Sequence, residues 1–163
     1  MPYETRAREA RVIANPDERW HKLHGAFSQN RDAHWSGEDL QAFIDLVRSV
    51  GEVEEPDWSN QEFVTLHVRG VKRWWCRLKT GQPEYFRAIL RTQRRQFAEG
   101  ELQATLGLQP WLKLDPPVEC RTQRLTVKRR KEEDELWLDL ASREEFDTEA
   151  FREVLREMLA DFR

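Results

Sequence analysis

The chain has 163 residues, 39% of them hydrophobic and 35% charged, with a mean hydropathy of −0.84, the size and composition of one globular domain. No run of about 18 apolar residues occurs, and Met1-Pro2-Tyr3-Glu4-Thr5-Arg6 has no apolar stretch behind it, so neither a spanning helix nor a secretory signal is expected and the expected compartment is the cytoplasm. Cys76 and Cys120 have no Cys or His neighbours at metal-ligand spacing, which points away from a disulfide framework and a zinc knuckle.

Formal net charge is −3, but the charge is unevenly spread. Residues 66–95 hold nine Lys and Arg against one acid, and residues 119–131 hold six against one, while the segments around them are net acidic. If the two basic blocks become neighbouring strands, the sheet acquires a basic face able to bind an anion. The alternative is that these cations pair with Glu and Asp of the flanking segments.

In chain order, residues 1–19 read as a polar arm and 20–163 as a single domain. Trp20, Leu23 and Phe27 recur at helical spacing, with Gly25 and Ser28-Gln29-Asn30 ending the turn. Ser36, with Asp39 in the reciprocal position, predicts a helix start; Leu40, Phe43, Ile44 and Val47 then form an apolar stripe, and Gly51 is placed for a left-handed cap. From Phe63 the period becomes two. Val64, Leu66 and Val68 share one face, Arg69-Gly70-Val71-Lys72 turns, and the return strand puts Trp74, Cys76 and Leu78 inward and Trp75, Arg77 and Lys79 outward. A third strand is predicted over Tyr85 to Thr92, with Phe86, Ala88 and Leu90 inward and Arg87 and Arg91 outward; helical spacing of Phe86, Ile89 and Leu90 is the rival reading. Phe97 to Leu106 reads as a short helix or an irregular crossover.

Past Asp115-Pro116-Pro117, Arg121 to Arg129 and Glu135 to Leu140 alternate as a second hairpin, whose basic residues, among them Arg124 and Lys128 or their alternating neighbours, are expected on the same face. Phe151, Val154, Leu155, Met158, Leu159 and Phe162 form the stripe of a terminal helix, with Asp147 as its candidate cap and Glu149 in its first turn. The expected fold is therefore α+β: a twisted antiparallel sheet of about five strands with the N- and C-terminal helices packed on one face.

No phosphate-cradling glycine string occurs among the seven glycines, which argues against a nucleotide-hydrolysing or dinucleotide enzyme. His21 and His24, with His34 or Asp32, could hold a metal, but such residues more often serve as ordinary polar or capping groups. Cys76 reads as a small core residue, because alternation turns Arg77 and Lys79 away from it. No catalytic residue, cofactor or metal site is assigned.

Trp58-Ser59-Asn60-Gln61 leading into Phe63 to Val68, the return strand ending at Lys79-Thr80, and Pro83 before the next strand resemble an accessory module associated with UvrA-like excinuclease subunits. Trp20-His21, the second hairpin and the last helix are similar in order and spacing, so the resemblance spans residues 20–162. UvrA proteins are ABC-type ATPases that recognise damaged DNA. This chain has none of their phosphate loops, signature motif or zinc cysteines, so the resemblance implies a non-catalytic companion associated with DNA repair, with DNA or a UvrA-like ATPase as partner. The element order is also similar, at fold level, to small YjbR-like α+β domains.

The expected interface is the basic sheet face, with Arg73, Arg77, Lys79, Arg87 and Arg91 on phosphates and Trp75 stacking on a base. The alternative function is a protein-interaction adaptor that docks a basic partner on an acidic surface, either Glu52 to Asp57 or the last helix. No membrane contact is expected, and the sequence specifies no oligomeric state.

Overall fold

Helix and strand signals lie where the hydrophobic period changes, and the computed structural model, which describes residues 17–24 and 33–162, places the elements accordingly. Helices α1 (Glu18–Lys22), α2 (Gly37–Ser49), α3 (Glu99–Leu106) and α4 (Glu149–Asp161) accompany strands β1 (Phe63–Leu66), β2 (Cys76–Lys79), β3 (Phe86–Thr92), β4 (Leu125–Arg129) and β5 (Asp134–Leu140). The five strands form one antiparallel sheet in the order β1-β2-β3-β5-β4. The segment between β3 and β4 contains α3 and a 3-10 turn at Trp111–Lys113, and it sets the second hairpin beside the first with β5 inward.

The inner sheet face is continuous. Val64, Leu66, Cys76, Leu78, Phe86, Ala88, Leu90, Leu125, Leu136, Leu138 and Leu140 are all buried on it, against Leu40, Phe43, Ile44 and Val47 of α2 and Phe151, Val154, Leu155 and Met158 of α4. Phe43 meets Phe86 at 6.0 Å and Phe146 at 5.3 Å in edge-to-face pairs, which tie α2 to the sheet and to the approach of α4. Side chains of this size contribute roughly 1.5–3 kcal/mol each on full burial, so this layer dominates the stability of the fold.

The N-terminal signal of α2 is realised as a capping box: Ser36 Oγ accepts from Asp39 N at 3.1 Å and Asp39 Oδ2 accepts from Ser36 N at 2.8 Å. Its C-terminal signal is not, because α2 closes at Val50 in right-handed geometry and Gly51 does not take a left-handed φ. Gly51 serves close packing instead, since a Cβ there would lie 2.6 Å from Leu159 Cδ1 of α4. The left-handed cap occurs at Gly107, φ 68°, which ends α3. The cap of α4 is Thr148, whose hydroxyl accepts from Phe151 N, while the expected cap Asp147 receives Arg143 and Arg152.

Over residues 85–92 the strand prevails over the helix, because β3 is hydrogen-bonded on both sides, by β2 and β5. Several strands are shorter than expected: β1 stops at Leu66, with Val68 bridging to Val53, β2 begins only at Cys76, and β4 begins only at Leu125. The polar arm falls largely outside the described residues, as do Gly25, Phe27 and Ser28 to Asn30. Its expected boundary at 19 lies inside α1, which is capped by Asp17 through Trp20 N at 2.9 Å.

The largest correction concerns the two adjacent tryptophans. Trp75 is fully buried in the core and Trp74 lies on the outer face, the reverse of the expected alternation. Trp75 N donates to Leu66 O at 3.0 Å, yet Leu66 is in register with Cys76, so two consecutive residues of the return strand oppose one residue of β1. This extra residue, of the β-bulge kind, turns Trp75 and Cys76 both inward and shifts everything before them by one face.

Candidate nucleic-acid interface

The sheet face opposite the helices is built from the alternate residues of each strand. Cross-strand register aligns Phe63, Lys79, Arg87 and Asp139 in one row and Thr65, Arg77, Ile89, Trp137 and Thr126 in the next, with Arg91, Glu135 and Lys128 beyond. The two basic blocks do become parts of one face, but they are joined by carboxylates of the second hairpin.

Arg87 is committed to structure. It forms a two-point pair with Asp139, Nε to Oδ1 at 2.6 Å and Nη2 to Oδ2 at 3.0 Å, and Asp139 is buried and also accepts from Thr122 Oγ1 at 2.8 Å. The paired carboxylate raises the Arg87 pKa above its ordinary value. Arg91 and Arg73 share Glu133, at 3.3 and 2.5 Å, and Arg130 pairs with Glu135 at 3.1 Å. Arg124, expected on the open face, is buried: it pairs with Glu145 at 2.6 Å, donates to Asp139 O and Gln109 O, and lies 4.0 Å from the Trp111 ring. A small second cluster of Tyr85, Trp111, Val118 and Ala141 covers that end of the sheet. Internal pairing therefore accounts for a substantial part of the basic face.

Arg77, Lys79 and Lys128 are different, because among the described residues none has a carboxylate at ion-pair distance. Arg77 lies 4.1 Å from the Phe63 ring and 4.5 Å from that of Trp74, and its Nε has no hydrogen-bond acceptor. Burial, and then the neighbouring Arg91 charge, lower its pKa from the ordinary arginine value. Lys79 is exposed, and Lys128 Nζ is 5.0 Å from the Trp137 ring. Trp74 also carries Arg91 at 3.8 Å, and Trp137 carries Arg87 at 4.7 Å. The outer tryptophans are thus Trp74 and Trp137, each already in contact with cations, rather than Trp75. Trp137 was accessible to sequence reasoning through its place between the inward Leu136 and Leu138; Trp74 was concealed by the extra residue that follows it.

The histidines serve the fold. His21 Nε2 faces two carbonyls, Asn60 O at 2.9 Å and Trp58 O at 3.2 Å, and carbonyls only accept, so Nε2 carries the hydrogen and Nδ1 accepts from Thr80 Oγ1 at 2.6 Å. This ring joins α1 to the segments flanking β1 and β2. His24 Nε2 contacts Trp35 O at 3.1 Å, and the backbone N of His34 donates to Pro83 O at 2.7 Å. Among the described residues no group of three or more His, Cys, Asp or Glu is assembled to hold a metal ion, and Asp32 lies outside them. Cys76 is fully buried, which pushes its thiol pKa up and leaves it a core residue. No helix among the described residues is long and apolar enough to cross a membrane.

Burial lowers the His21 pKa from 6.5, so on acidification the unfolded chain takes up this proton before the folded one does. The stability this group contributes is complete above pH 6.5 and declines as pH falls from there through the lowered folded value. The expected result is a wild-type Tm that falls more steeply below about pH 6.5 than that of His21→Gln, followed by calorimetry at several pH values. Parallel profiles would place the folded pKa of His21 at its ordinary value.

No family model matches the chain, and no curated protein or solved structure matches it.

Proposed function

We propose that the protein is a non-catalytic module whose outer sheet face binds the backbone of an extended polyanion, a single-stranded nucleic acid. The observation that carries this reading is the group Arg77, Lys79 and Lys128, cations on one open face that have no carboxylate at ion-pair distance among the described residues. Cations on an open face with no described carboxylate partner favour backbone contact, because each phosphate neutralised releases counterions. Among the described residues no helix projects from this face to enter a groove, and its half-exposed Trp74 and Trp137 suit the unstacked bases of a single strand. The bases would contact ring edges and the guanidinium groups lying over them, since both indoles already have cations in contact. The DNA-repair context comes from the resemblance of residues 20–162 to a UvrA-associated module; the polyanion chemistry comes from the face.

Chemical-shift mapping tests this assignment of the surface. Addition of a short single-stranded oligonucleotide is expected to move the indole N–H signals of Trp74 and Trp137 and amides of β2, β3 and β5, and to leave those of α2 and of the first two turns of α4 in place. Shifts confined to the helical side would overturn it.

A further inference from the structure

At one end of the sheet a single carboxylate bridges two guanidinium groups. Glu133, in the β4–β5 turn, spans two guanidinium groups from the other hairpin, with Oε2 2.5 Å from Arg73 Nη1 and Oε1 3.3 Å from Arg91 Nε. The turn is closed by Arg130 N donating to Glu133 O at 3.1 Å. Below it Asp134 anchors the strand, being buried, accepting from Arg95 N at 2.8 Å and pairing with Arg129. Each arginine has an aromatic support that does not depend on Glu133: Arg73 lies 4.0 Å from the Phe162 ring and Arg91 3.8 Å from that of Trp74. A cavity of about 540 Å³ opens beside the pair, lined by Arg73, Arg91, Glu132, Glu133, Asp161 and Phe162 among others, with room for a tetrahedral anion; of its carboxylates Glu133 alone pairs with both arginines among the described residues. Planar guanidinium groups recognise carboxylate and phosphate oxygens with the same fork of donors, so the two anions are interchangeable there.

We propose that the Arg73–Arg91 pair is a phosphate subsite of the outer face, and that Glu133 fills it in the unliganded protein as an internal competitor. The ligand is a phosphodiester of the bound strand, so the inference rests on the nucleic-acid reading above. Glu133 and a phosphodiester each carry one negative charge, and exchanging one for the other changes the local electrostatics little. Strand affinity is therefore set below what the arginines alone would give.

The test compares Glu133→Gln with Glu132→Gln, a neighbour that removes the same charge without spanning the pair. Binding of a labelled single strand is followed as salt is varied. Glu133→Gln is expected to tighten binding about tenfold near 0.1 M salt and to steepen the salt dependence by about one unit of slope, while Glu132→Gln changes affinity by no more than about twofold. Equal tightening in both variants, or none in Glu133→Gln, overturns the subsite and leaves the nucleic-acid reading intact. A second readout separates the opposite failure: the Arg91 Nε–H resonance of Glu133→Gln is expected to move on addition of inorganic phosphate. If it moves while no strand binds either protein, the anion subsite stands and the nucleic-acid ligand is wrong; if it does not move, the subsite is overturned.

Discussion

Replacement of Arg77, Lys79 and Lys128 together by Gln is expected to reduce single-strand affinity on the order of a hundredfold at low salt, and to lower the salt slope by about two. Among the described residues none of the three is in an ion pair, so no described charge partner is lost when they are neutralised. Arg77 does pack between Phe63 and Trp74, and Gln keeps a polar group on much of that stem. Far-UV circular dichroism and Tm are therefore expected to stay close to wild type. Unchanged binding in a folded triple variant would remove the observation on which the functional proposal stands.

The second large effect is on stability. Asp139→Ala is expected to cost about 3–5 kcal/mol in urea unfolding at neutral pH, because it leaves the half-buried Arg87 guanidinium without its carboxylate and Thr122 without its acceptor. The paired replacement Arg87→Met with Asp139→Leu is expected to recover most of that loss, since apolar substitutes of similar volume often equal a buried ion pair. A cost below about 1 kcal/mol for Asp139→Ala would mean that Arg87 is held by other contacts and is available to a ligand. The distinction matters for function: Arg87 was expected to contact phosphate, and its geometry makes it a support for the face.

Periodicity carried the fold a long way. The stripe Leu40-Phe43-Ile44-Val47 and the stripe running from Phe151 to Met158 each gave a helix within a residue or two of its observed bounds, because both bury one face against a single sheet. Alternation likewise placed Phe86, Ala88 and Leu90 inward and Arg87 and Arg91 outward. It failed at Trp74-Trp75, where one extra residue inverts the face and no residue in the string announces it. The ion-pair partners were also illegible. Glu133 and Asp139 lie 42 or more positions from Arg91 and Arg87, and they meet only because β5, rather than β4, pairs with β3. That strand order decides which cations have a described carboxylate partner, so the basic block could be seen in the sequence while the pairing within it could not. Gly51 is a similar case: a helix-ending glycine by pattern, it lies against the Leu159 side chain more than a hundred positions away.

The most direct measurement is fluorescence anisotropy of labelled single- and double-stranded DNA titrated with the protein from low to moderate salt. The account predicts micromolar or tighter binding of the single strand that weakens steeply as salt rises, the behaviour of a ligand held by phosphate contacts. Flat anisotropy at low salt would contradict it: the positive excess at Arg77, Lys79 and Lys128 would then have no nucleic-acid role, and the adaptor reading would replace the interface described here.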